Sequence, residues 1–597
     1  MAACFSPATG AIPTNPLLRP TSSTGLKSPH QLLAFTSKRR ISRISCTSSD
    51  GIRNDRKAPA TRRDLLIGMG GIYGSAALDP SIAFADPIQP PDLTKCGPAS
   101  VTTTGPTVQC CPPFKGPHNI IDFKLPSPRE LVRTRPAAHL VDKAYIKKYE
   151  RAIQLMRSLP DDDPRSFKQQ ADVHCAYCNG AYDQIGFPET GLQVHFSWIF
   201  FPFHRLYLYF FERILGKLID DPTFALPYWN WDSPPGMNMP AIFTDPNSPL
   251  YDPIRNPTHS DPSFMLDLDW SREDIVVSPE EQIKSNLNLM NTQMVSGAKK
   301  RTLFFGTPLK AGDAAANTGQ GSIERSPHMN IHIWTGDPKQ AHTEDMGNFY
   351  SAGRDPIFYC HHANVDRMWD LWKTLGPRRT DFTDPDWLEA AFVFYDEDKN
   401  LVRCKVKDCL DSRKLNYDYQ KVPIPWLDTK RTPKAKKKTL ANAFATEKFA
   451  NAAPPKKREL TPLSAFPLVL NKAISVVVPR GKRSRSVAEK EEEEEILVVE
   501  GIEFDRGNVV KFDVALNDED STGAPAGPQD TEFAGTFVNV PHREKAGAPS
   551  FKAVLRLGIT DLLDDLGADD DDTVVVTLVP KVGEVKIGGL KIDYITD

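Results

Sequence analysis

The chain has 597 residues and a formal net charge of −3, with 40% apolar and 25% charged residues. This length exceeds a single compact core and predicts two to four domains. The near-neutral charge argues against a dedicated nucleic-acid-binding protein. No uncharged run reaches the roughly 20 residues that a membrane helix needs, so we expect no integral membrane segment.

The first 85 residues have the composition of targeting signals. Residues 1–49 contain no Asp or Glu and are rich in Ser, Thr and basic residues, which is typical of an organellar transit peptide. Arg62 and Arg63 then precede an uncharged run, 65–78, and a small-x-small cleavage site that ends at Ala85. The tandem arrangement predicts import into a plastid and then, by a twin-arginine translocase, into the thylakoid lumen. A disordered tail is the alternative.

The remaining chain divides into three parts. Residues 86–428 are rich in aromatic side chains and contain all but one of the histidines after residue 85. Residues 429–459 are basic and contain prolines, which predicts an exposed, protease-sensitive linker. Residues 460–597 contain short β-branched runs separated by Gly, Pro, Asp and Asn, which predicts an all-β sandwich or barrel. These runs are Ile474–Val478, Ile496–Val499, Val509–Val514 and Thr573–Val579.

The histidine content and one acidic run distinguish this C-terminal part further. It has no Cys and a single His, His542, which argues against a catalytic role. The acidic run Glu491–Glu495 predicts a solvated loop.

Seven of the eleven histidines of the central part fall into two groups. His174, His195 and His204 form the first, and His328, His332, His361 and His362 form the second. Any one of them alone would more often be a core residue than a ligand. Two groups beside predicted helix starts instead indicate metal binding.

The second group lies on two predicted helices. Ser326 at an N-cap and Pro327 at the first helical position predict a helix that places His328 and His332 at i and i+4, within reach of one metal. A helix that starts at Asp355-Pro356 carries the adjacent His361 and His362. Their side chains point about 100° apart, so only one can share that metal.

The first group needs a break between its members. His195 and His204 are nine residues apart, on opposite sides of any continuous helix. A helix that begins at Pro202 and runs to Leu218 would carry His204 and leave His195 on the preceding segment. Because this helix is apolar on more than one face, we expect it to be buried at the centre of a bundle.

All-imidazole ligation suits copper, zinc or iron. Zinc hydrolase sites commonly include a carboxylate or keep an open position. Two three-histidine sites without carboxylates therefore favour a pair of copper ions, with a di-zinc hydrolase as the alternative.

Four strings of the sequence resemble plant polyphenol oxidases, the type-3 copper family of catechol oxidases and tyrosinases. They are HCAYC at 174–178, HFSWIFFPFHR at 195–205, HMNIH at 328–332 and DPIFYCHHANVDR at 355–367. The strings DWL at 386–388 and KFDV at 511–514 resemble the middle and C-terminal signatures of that family. The resemblance implies a mainly α catalytic domain, a four-helix bundle with long loops around a dicopper centre. An all-β C-terminal domain would follow and cover the centre until proteolysis.

The resemblance also implies roles for individual residues. Copper A would be bound by His174, His195 and His204, and copper B by His328, His332 and His362, with His361 as a neighbour that does not bind. Cys178 would form a thioether with His195, and the disulfides would be Cys96–Cys111 and Cys110–Cys175. Cys404 and Cys409 either pair or remain free thiols.

The resemblance assigns four more residues roles near the substrate. Phe349 corresponds to a gate ring over copper A, and Glu324 to an acid that holds a water near the coppers. Relatives that hydroxylate monophenols well often have Asn where this chain has Met329, whose thioether is only a weak acceptor. Ile333 gives the mouth of the site an apolar wall.

The sequence therefore predicts a latent catechol oxidase, activated by a protease, that converts o-diphenols and O₂ to o-quinones and water. Met329 predicts weak or absent monophenol hydroxylation. Two further alternatives are a narrow-substrate phenol oxidase of a pigment pathway and a non-catalytic dicopper protein that binds O₂.

Overall fold

A computed structural model describes residues 87–101, 106–113, 119–128, 131–275, 277–314, 318–433, 459–518, 525–543 and 552–596. The predicted targeting signals and residues 434–458 of the predicted linker lie outside this part of the chain. The described residues belong to one compact unit. None of their helices combines the length and the apolar character needed to cross a membrane.

Helices dominate the first half of the described chain. The α-helices before residue 433 are, in order, α1 (Lys143–Arg157), α2 (Phe167–Cys178), α3 (Phe200–Leu218), α4 (Pro279–Asn291), α5 (Arg301–Phe305), α6 (Met329–Thr335), α7 (Ile357–Trp372) and α8 (Pro385–Leu388). The C-terminal part adds the short helices α9 (Val487–Glu492) and α10 (Thr560–Leu566). Side chains cap several of them, because Asp142, Ser166 and Ser278 each accept a backbone N–H of the first turn.

Helix α3 lies at the centre of the helical part. It packs against α1 and α7, and α1 also packs against α2. Nearly every residue of α3 is buried, as its apolar faces predict. The helix starts at Phe200, two residues before the predicted start, so Pro202 lies in the first turn. Proline fits there because the first-turn N–H groups have no partner within the helix.

Short strands connect the helices of this part. They are β1 (Ala99–Ser100), β2 (Thr107–Val108), β3 (Ile121–Asp122), β4 (Arg133–Arg135), β5 (Asp183–Gln184), β6 (Phe187–Gly191), β7 (Ala391–Tyr395), β8 (Leu401–Lys405) and β9 (Tyr417–Tyr419). They pair as β1–β2, β3–β8–β7, β4–β9 and β5–β6.

Most strands of the C-terminal part are longer. They are β10 (Leu468–Val469), β11 (Ile474–Pro479), β12 (Glu494–Ile502), β13 (Val510–Leu516), β14 (Phe533–Asn539), β15 (Ala553–Gly558), β16 (Thr573–Val582), β17 (Lys586–Ile587) and β18 (Gly589–Ile595). They form antiparallel sheets in the orders β11–β16–β13–β14, β15–β12–β18 and β10–β17. The four β-branched runs predicted as strands lie in β11, β12, β13 and β16.

The prediction of a solvated loop at 491–495 is confirmed only in part. Glu491 and Glu492 are exposed, but they lie at the end of helix α9. Glu494 and Glu495 begin β12 and are fully buried. The Nε of Arg480 donates to Glu495 at 2.8 Å, and the backbone N–H of Thr560 donates to Glu494 at 3.1 Å. These partners come from other parts of the fold, so the acids are paired inside the protein.

The helical part and the C-terminal sheets share an interface. The main buried apolar cluster runs from one into the other. Lys511 of β13 is fully buried, and its ammonium group lies 2.9 Å from a carboxylate oxygen of Asp269 and 2.9 Å from the hydroxyl of Ser271. Arg431, which we expected in the exposed linker, instead donates to the carbonyl of Phe533 at 3.0 Å. The segment up to residue 433 is therefore docked on the C-terminal sheets.

Candidate metal centre

The first histidine group is assembled from two helices and an irregular segment. His174 lies in the last half of α2, His204 in the second turn of α3, and His195 on the chain between β6 and α3. Their ring centroids are 5.4 Å (His174–His195), 5.7 Å (His174–His204) and 5.1 Å (His195–His204) apart. The ligand atoms of all three lie within 4.8 Å of one another. As predicted, a break before α3 lets His195 and His204 converge.

The second group comes from the start of α6 and from α7. The ring centroids of His328 and His332 are 4.7 Å apart, and the Nε2 atoms of His332 and His362 are 3.3 Å apart. His361 joins this cluster, and the ligand atoms of all four residues lie within 4.8 Å of one another. The structure thus brings together every histidine that the sequence assigned to this group.

The helix start at this group differs from the prediction. Ser326 has extended backbone angles, its hydroxyl caps nothing, and His328 is the N-cap residue of α6. A kinked segment, Glu324–His328, precedes α6 directly. His328 itself has helical angles, so its ring still lies on the same face as that of His332.

The two groups face each other. The rings of His204 and His362 stack at 4.2 Å with an interplanar angle of 9°. The rings of His195 and His328 lie 5.8 Å apart at 23°. Two metals held by these groups would therefore be neighbours.

Most of these rings are oriented by a hydrogen bond at Nδ1. The partners are the carbonyls of Phe349 for His174, Phe200 for His204, Glu324 for His328 and Met346 for His332, at 2.7–3.0 Å, and the side-chain oxygen of Gln193 for His195 at 3.2 Å. A hydrogen bond at Nδ1 leaves the Nε2 lone pair free to bind a metal. The Nε2 atoms of His174, His195, His204 and His328 are buried and have no hydrogen-bond partner among the described residues.

Burial keeps these rings neutral. It lowers the pKa of His204 to about 3 and that of His332 to about 4. Burial and the neighbouring histidines hold the pKa of His174, His195, His328 and His362 well below the usual range. Neutral imidazoles with free Nε2 atoms are metal ligands, and neither group contains a carboxylate. The donor set therefore fits a pair of copper ions.

An aromatic cover lies over the first group. The ring of Phe349 stacks on that of His195 at 4.1 Å and 19°. On the other side of Phe349 lies the ring of His542, at 5.2 Å, which also lies 4.9 Å from the ring of Phe196. The backbone N–H of Phe349 donates to the carbonyl of Pro541 at 3.1 Å. The segment 540–543, which follows β14, therefore lies against this aromatic cover.

Sequence reasoning missed the position of His542. Its ring is fully buried, its Nδ1 contacts the carbonyl of Val540 at 2.8 Å, and burial lowers its pKa to about 3. The one available signal was that it is the single histidine of the C-terminal part.

Glu324 lies beside the cover and between the two groups. Its Oε1 accepts the backbone N–H of Phe196 at 2.5 Å, while its Oε2 is buried without a partner among the described residues. Burial raises the pKa of Glu324 to about 8. Met329 and Ile333, the other predicted site residues, are both buried on α6 and offer no strong hydrogen-bonding group.

The cysteines pair as the resemblance implied. Disulfides join Cys96 to Cys111 and Cys110 to Cys175, and the second bond anchors the N-terminal segment beside His174. Cys178 is a buried free thiol at the end of α2. Cys360, Cys404 and Cys409 are also free and buried, so Cys404 and Cys409 do not pair in this structure.

Known proteins share both the sequence and the fold. Residues 164–375 match the common central domain of tyrosinase, residues 381–432 the polyphenol oxidase middle domain, and residues 466–594 the chloroplastic polyphenol oxidase C-terminal domain. The chain is 54% identical to a chloroplastic polyphenol oxidase of Malus domestica over 597 residues, which cover 99% of each chain. It is 52% identical to aureusidin synthase of Antirrhinum majus over 512 residues, 85% of this chain and 89% of that protein.

A solved structure gives the same fold. Latent apple tyrosinase is 58% identical in sequence, with a TM-score of 0.74, and the match covers 80% of this chain and 100% of that chain.

Proposed function

This chain belongs to the plant polyphenol oxidases of the tyrosinase family, and we propose that it is a latent o-diphenol oxidase. In this reaction two o-diphenols and one O₂ give two o-quinones and two waters. The family is one of oxidoreductases that act on phenols with O₂, and its central domain implies a dicopper centre. We propose that this chain oxidises catechols at a type-3 copper pair.

One observation carries the proposal: two buried all-histidine groups face each other, and the Nε2 atoms of His174, His195, His204 and His328 have no hydrogen-bond partner among the described residues. We assign copper A to His174, His195 and His204, and copper B to His328, His332 and His362. Two nitrogens bound to one tetrahedral metal at about 2.0 Å lie about 3.3 Å apart. The Nε2 atoms of His332 and His362 have this separation, which favours His362 over His361 as the third ligand.

When bound, the two coppers would take two electrons from the diphenol and reduce O₂. The chain itself supplies the binding surface. Phe349 presents a ring next to His195 on which a phenol can stack. Ile333, a buried residue of α6, is proposed to line the entrance with apolar atoms.

Glu324 is placed to handle a proton. Its Oε2 has no partner among the described residues, and a carboxyl with a pKa of about 8 is ionised to only about 10% at pH 7. A water held beside it could relay a proton from a phenol, but Met329 offers no group that would hold such a water. We therefore propose strong oxidation of diphenols and weak hydroxylation of monophenols.

The C-terminal part is proposed to be the element that makes the enzyme latent. His542 fills the space over Phe349, where a phenol would have to enter. A protease that cuts within 434–458 would release the connection between a catalytic domain, 86–428, and a shielding domain, 460–597. Separation of the two would then open the copper pair.

The remaining assignments extend this proposal. The relatives are named chloroplastic, and the predicted signals of residues 1–85 favour the thylakoid lumen as the final compartment. The helical part is proposed to form a four-helix bundle around the dicopper centre. Cys178 is proposed to form a thioether with His195.

A second candidate is a narrow-substrate oxidase of a pigment pathway. It is favoured by the 52% identity to a protein named aureusidin synthase. The two candidates differ in the phenol that they oxidise, because the second requires a larger, flavonoid-like substrate.

Substrate profiling tests the proposal. O₂ uptake is measured on copper-loaded protein of residues 86–597, after proteolytic activation, with catechol, a monophenol and a flavonoid that carries a catechol ring. We expect catechol to be oxidised rapidly and the monophenol slowly, and His204→Ala to abolish uptake. Turnover of the flavonoid with negligible turnover of catechol would favour the second candidate.

A further inference from the structure

His195 is oriented differently from the other proposed ligands. Among the described residues, its Nδ1 contacts a side chain, the Oε1 of Gln193, where His174, His204, His328 and His332 contact backbone carbonyls. The same Oε1 also accepts the backbone N–H of His195 at 3.0 Å. One amide oxygen therefore fixes both the main chain and the ring of this residue.

The local backbone explains why the ring of His195 has no hydrogen bond to the carbonyl four residues earlier. His204 and His328 each bond the carbonyl four residues earlier, which helical or turn geometry places below the ring. His195 lies on irregular chain between β6 and α3, and the next residue, Phe196, has a φ of 66°. Such a segment does not place the i−4 carbonyl below the ring, so the acceptor comes from elsewhere, as it does for His174 and His332.

The other end of the Gln193 amide reaches the proposed thioether partner. Its Nε2 donates to the backbone carbonyl of Cys178 at 2.8 Å, and the side chain is 1% exposed. The amide thus ties the end of α2 to the segment that carries His195. A buried amide with all three contacts made is a rigid link.

From this geometry we infer that Gln193 is a positioning residue for copper A and for the Cys178–His195 link. By accepting the Nδ1–H it holds His195 in the tautomer whose Nε2 can bind copper. By holding the carbonyl of Cys178 it fixes the end of α2 that carries the thiol. This inference rests on the proposed function, since it concerns the same metal centre.

The link can be written as a balanced reaction. A C–S bond forms between Sγ of Cys178 and a ring carbon of His195, while the S–H bond and one ring C–H bond break. The two hydrogens leave as two protons and two electrons, and O₂ takes them up to give hydrogen peroxide. The linked peptides are therefore about 2 Da lighter than the sum of the separate ones, which mass spectrometry resolves.

Two variants separate positioning from packing. Gln193→Met keeps nearly the same volume but removes every hydrogen bond of the amide, whereas Gln193→Glu keeps an oxygen that can accept the Nδ1–H. Loss of a group that orients a metal ligand typically weakens metal binding about 10–100-fold. We expect Q193M to lose most of the cross-link and one copper per chain. Q193E keeps the acceptor for His195 but not the donor to Cys178, so it should retain both coppers and lose part of the cross-link.

A matched control measures the general cost of removing a buried amide. Gln184 is 4% exposed, donates to the carbonyl of Asp313 at 2.9 Å and accepts the N–H of Gly312 at 2.8 Å, away from the histidines. Q184M is expected to keep the cross-link and both coppers, even if its melting temperature falls as much as that of Q193M.

The experiment loads wild type, Q193M, Q193E and Q184M, each as residues 86–597, with copper in air. Copper per chain, the cross-linked peptide and the melting temperature are then measured, with O₂ uptake as a separate readout. The inference would be overturned if Q193M kept the wild-type cross-link and two coppers. Equal losses of copper and cross-link in Q193M and Q184M would also overturn it, as would a loss of copper in Q193E but not in Q193M. If wild type itself binds no copper, the proposed function fails first and the inference fails with it.

Discussion

The position of the His542 ring over Phe349 leads to a quantitative prediction for the activity of the intact protein. His542→Ala removes the ring that contacts Phe349 at 5.2 Å and Phe196 at 4.9 Å. An aromatic pair contributes about 0.5–1.5 kcal/mol beyond its buried area, so loss of two pairs destabilises the closed form by about 1–3 kcal/mol. Since 1.4 kcal/mol corresponds to a tenfold change, the open fraction should rise about 5–140-fold.

The assay is O₂ uptake with catechol by the intact chain of residues 86–597, before any proteolysis. Before proteolysis, the variant should be about 5–140-fold more active than intact wild type. Removal of the C-terminal part supplies an internal control, because the trimmed enzymes have identical sequences and must have equal activity. Equal activity of the two intact proteins would refute the idea that this ring closes the site, and His542→Phe, which keeps an aromatic ring, should stay latent.

Three other changes test separate parts of the account. Lys511→Met removes the cation that pairs with the carboxylate of Asp269. This should lower the free energy of unfolding of the intact protein in urea by about 3–5 kcal/mol and raise its activity before proteolysis. An unchanged free energy of unfolding would contradict the buried pair. Burial raises the pKa of Glu494 to about 7, so the folded state favours its protonated form and stability is lost as pH rises from about 4.5 to 7. Glu494→Gln should therefore raise the melting temperature at pH 8 but not at pH 4, and an equal effect at both would refute this. Met329→Asn should raise the ratio of monophenol to diphenol activity at least tenfold, and a constant ratio would exclude this position as a determinant.

The sequence was informative where local geometry decides the outcome. The i, i+4 spacing places His328 and His332 on one face, and the proline at 202 marks the break that lets His195 and His204 converge. The β-branched runs of the C-terminal part lie in strands for the same reason, since alternation and propensity are local properties. The disulfide pairing came from the family resemblance, because four cysteines allow three pairings.

The sequence was uninformative where distant segments meet. Nothing near His542 indicates that its ring will lie against Phe349, because that contact depends on how the sheets dock on the helices. The run at 491–495 misled for a related reason: Arg480 and Thr560, which pair with its acids, come from other segments of the chain. The role of Gln193 was equally hidden, since a single glutamine two residues before a histidine has no signature of its own.

The central claim is that two buried histidine groups hold a copper pair that the C-terminal part covers. Its most direct test is to measure copper per chain and catechol-dependent O₂ uptake for residues 86–597, first intact and then cut within 434–458 and separated from the C-terminal part. We expect two coppers per chain in both forms, with low O₂ uptake by the intact protein and much higher O₂ uptake after separation. Two bound coppers with no uptake in either form would contradict it.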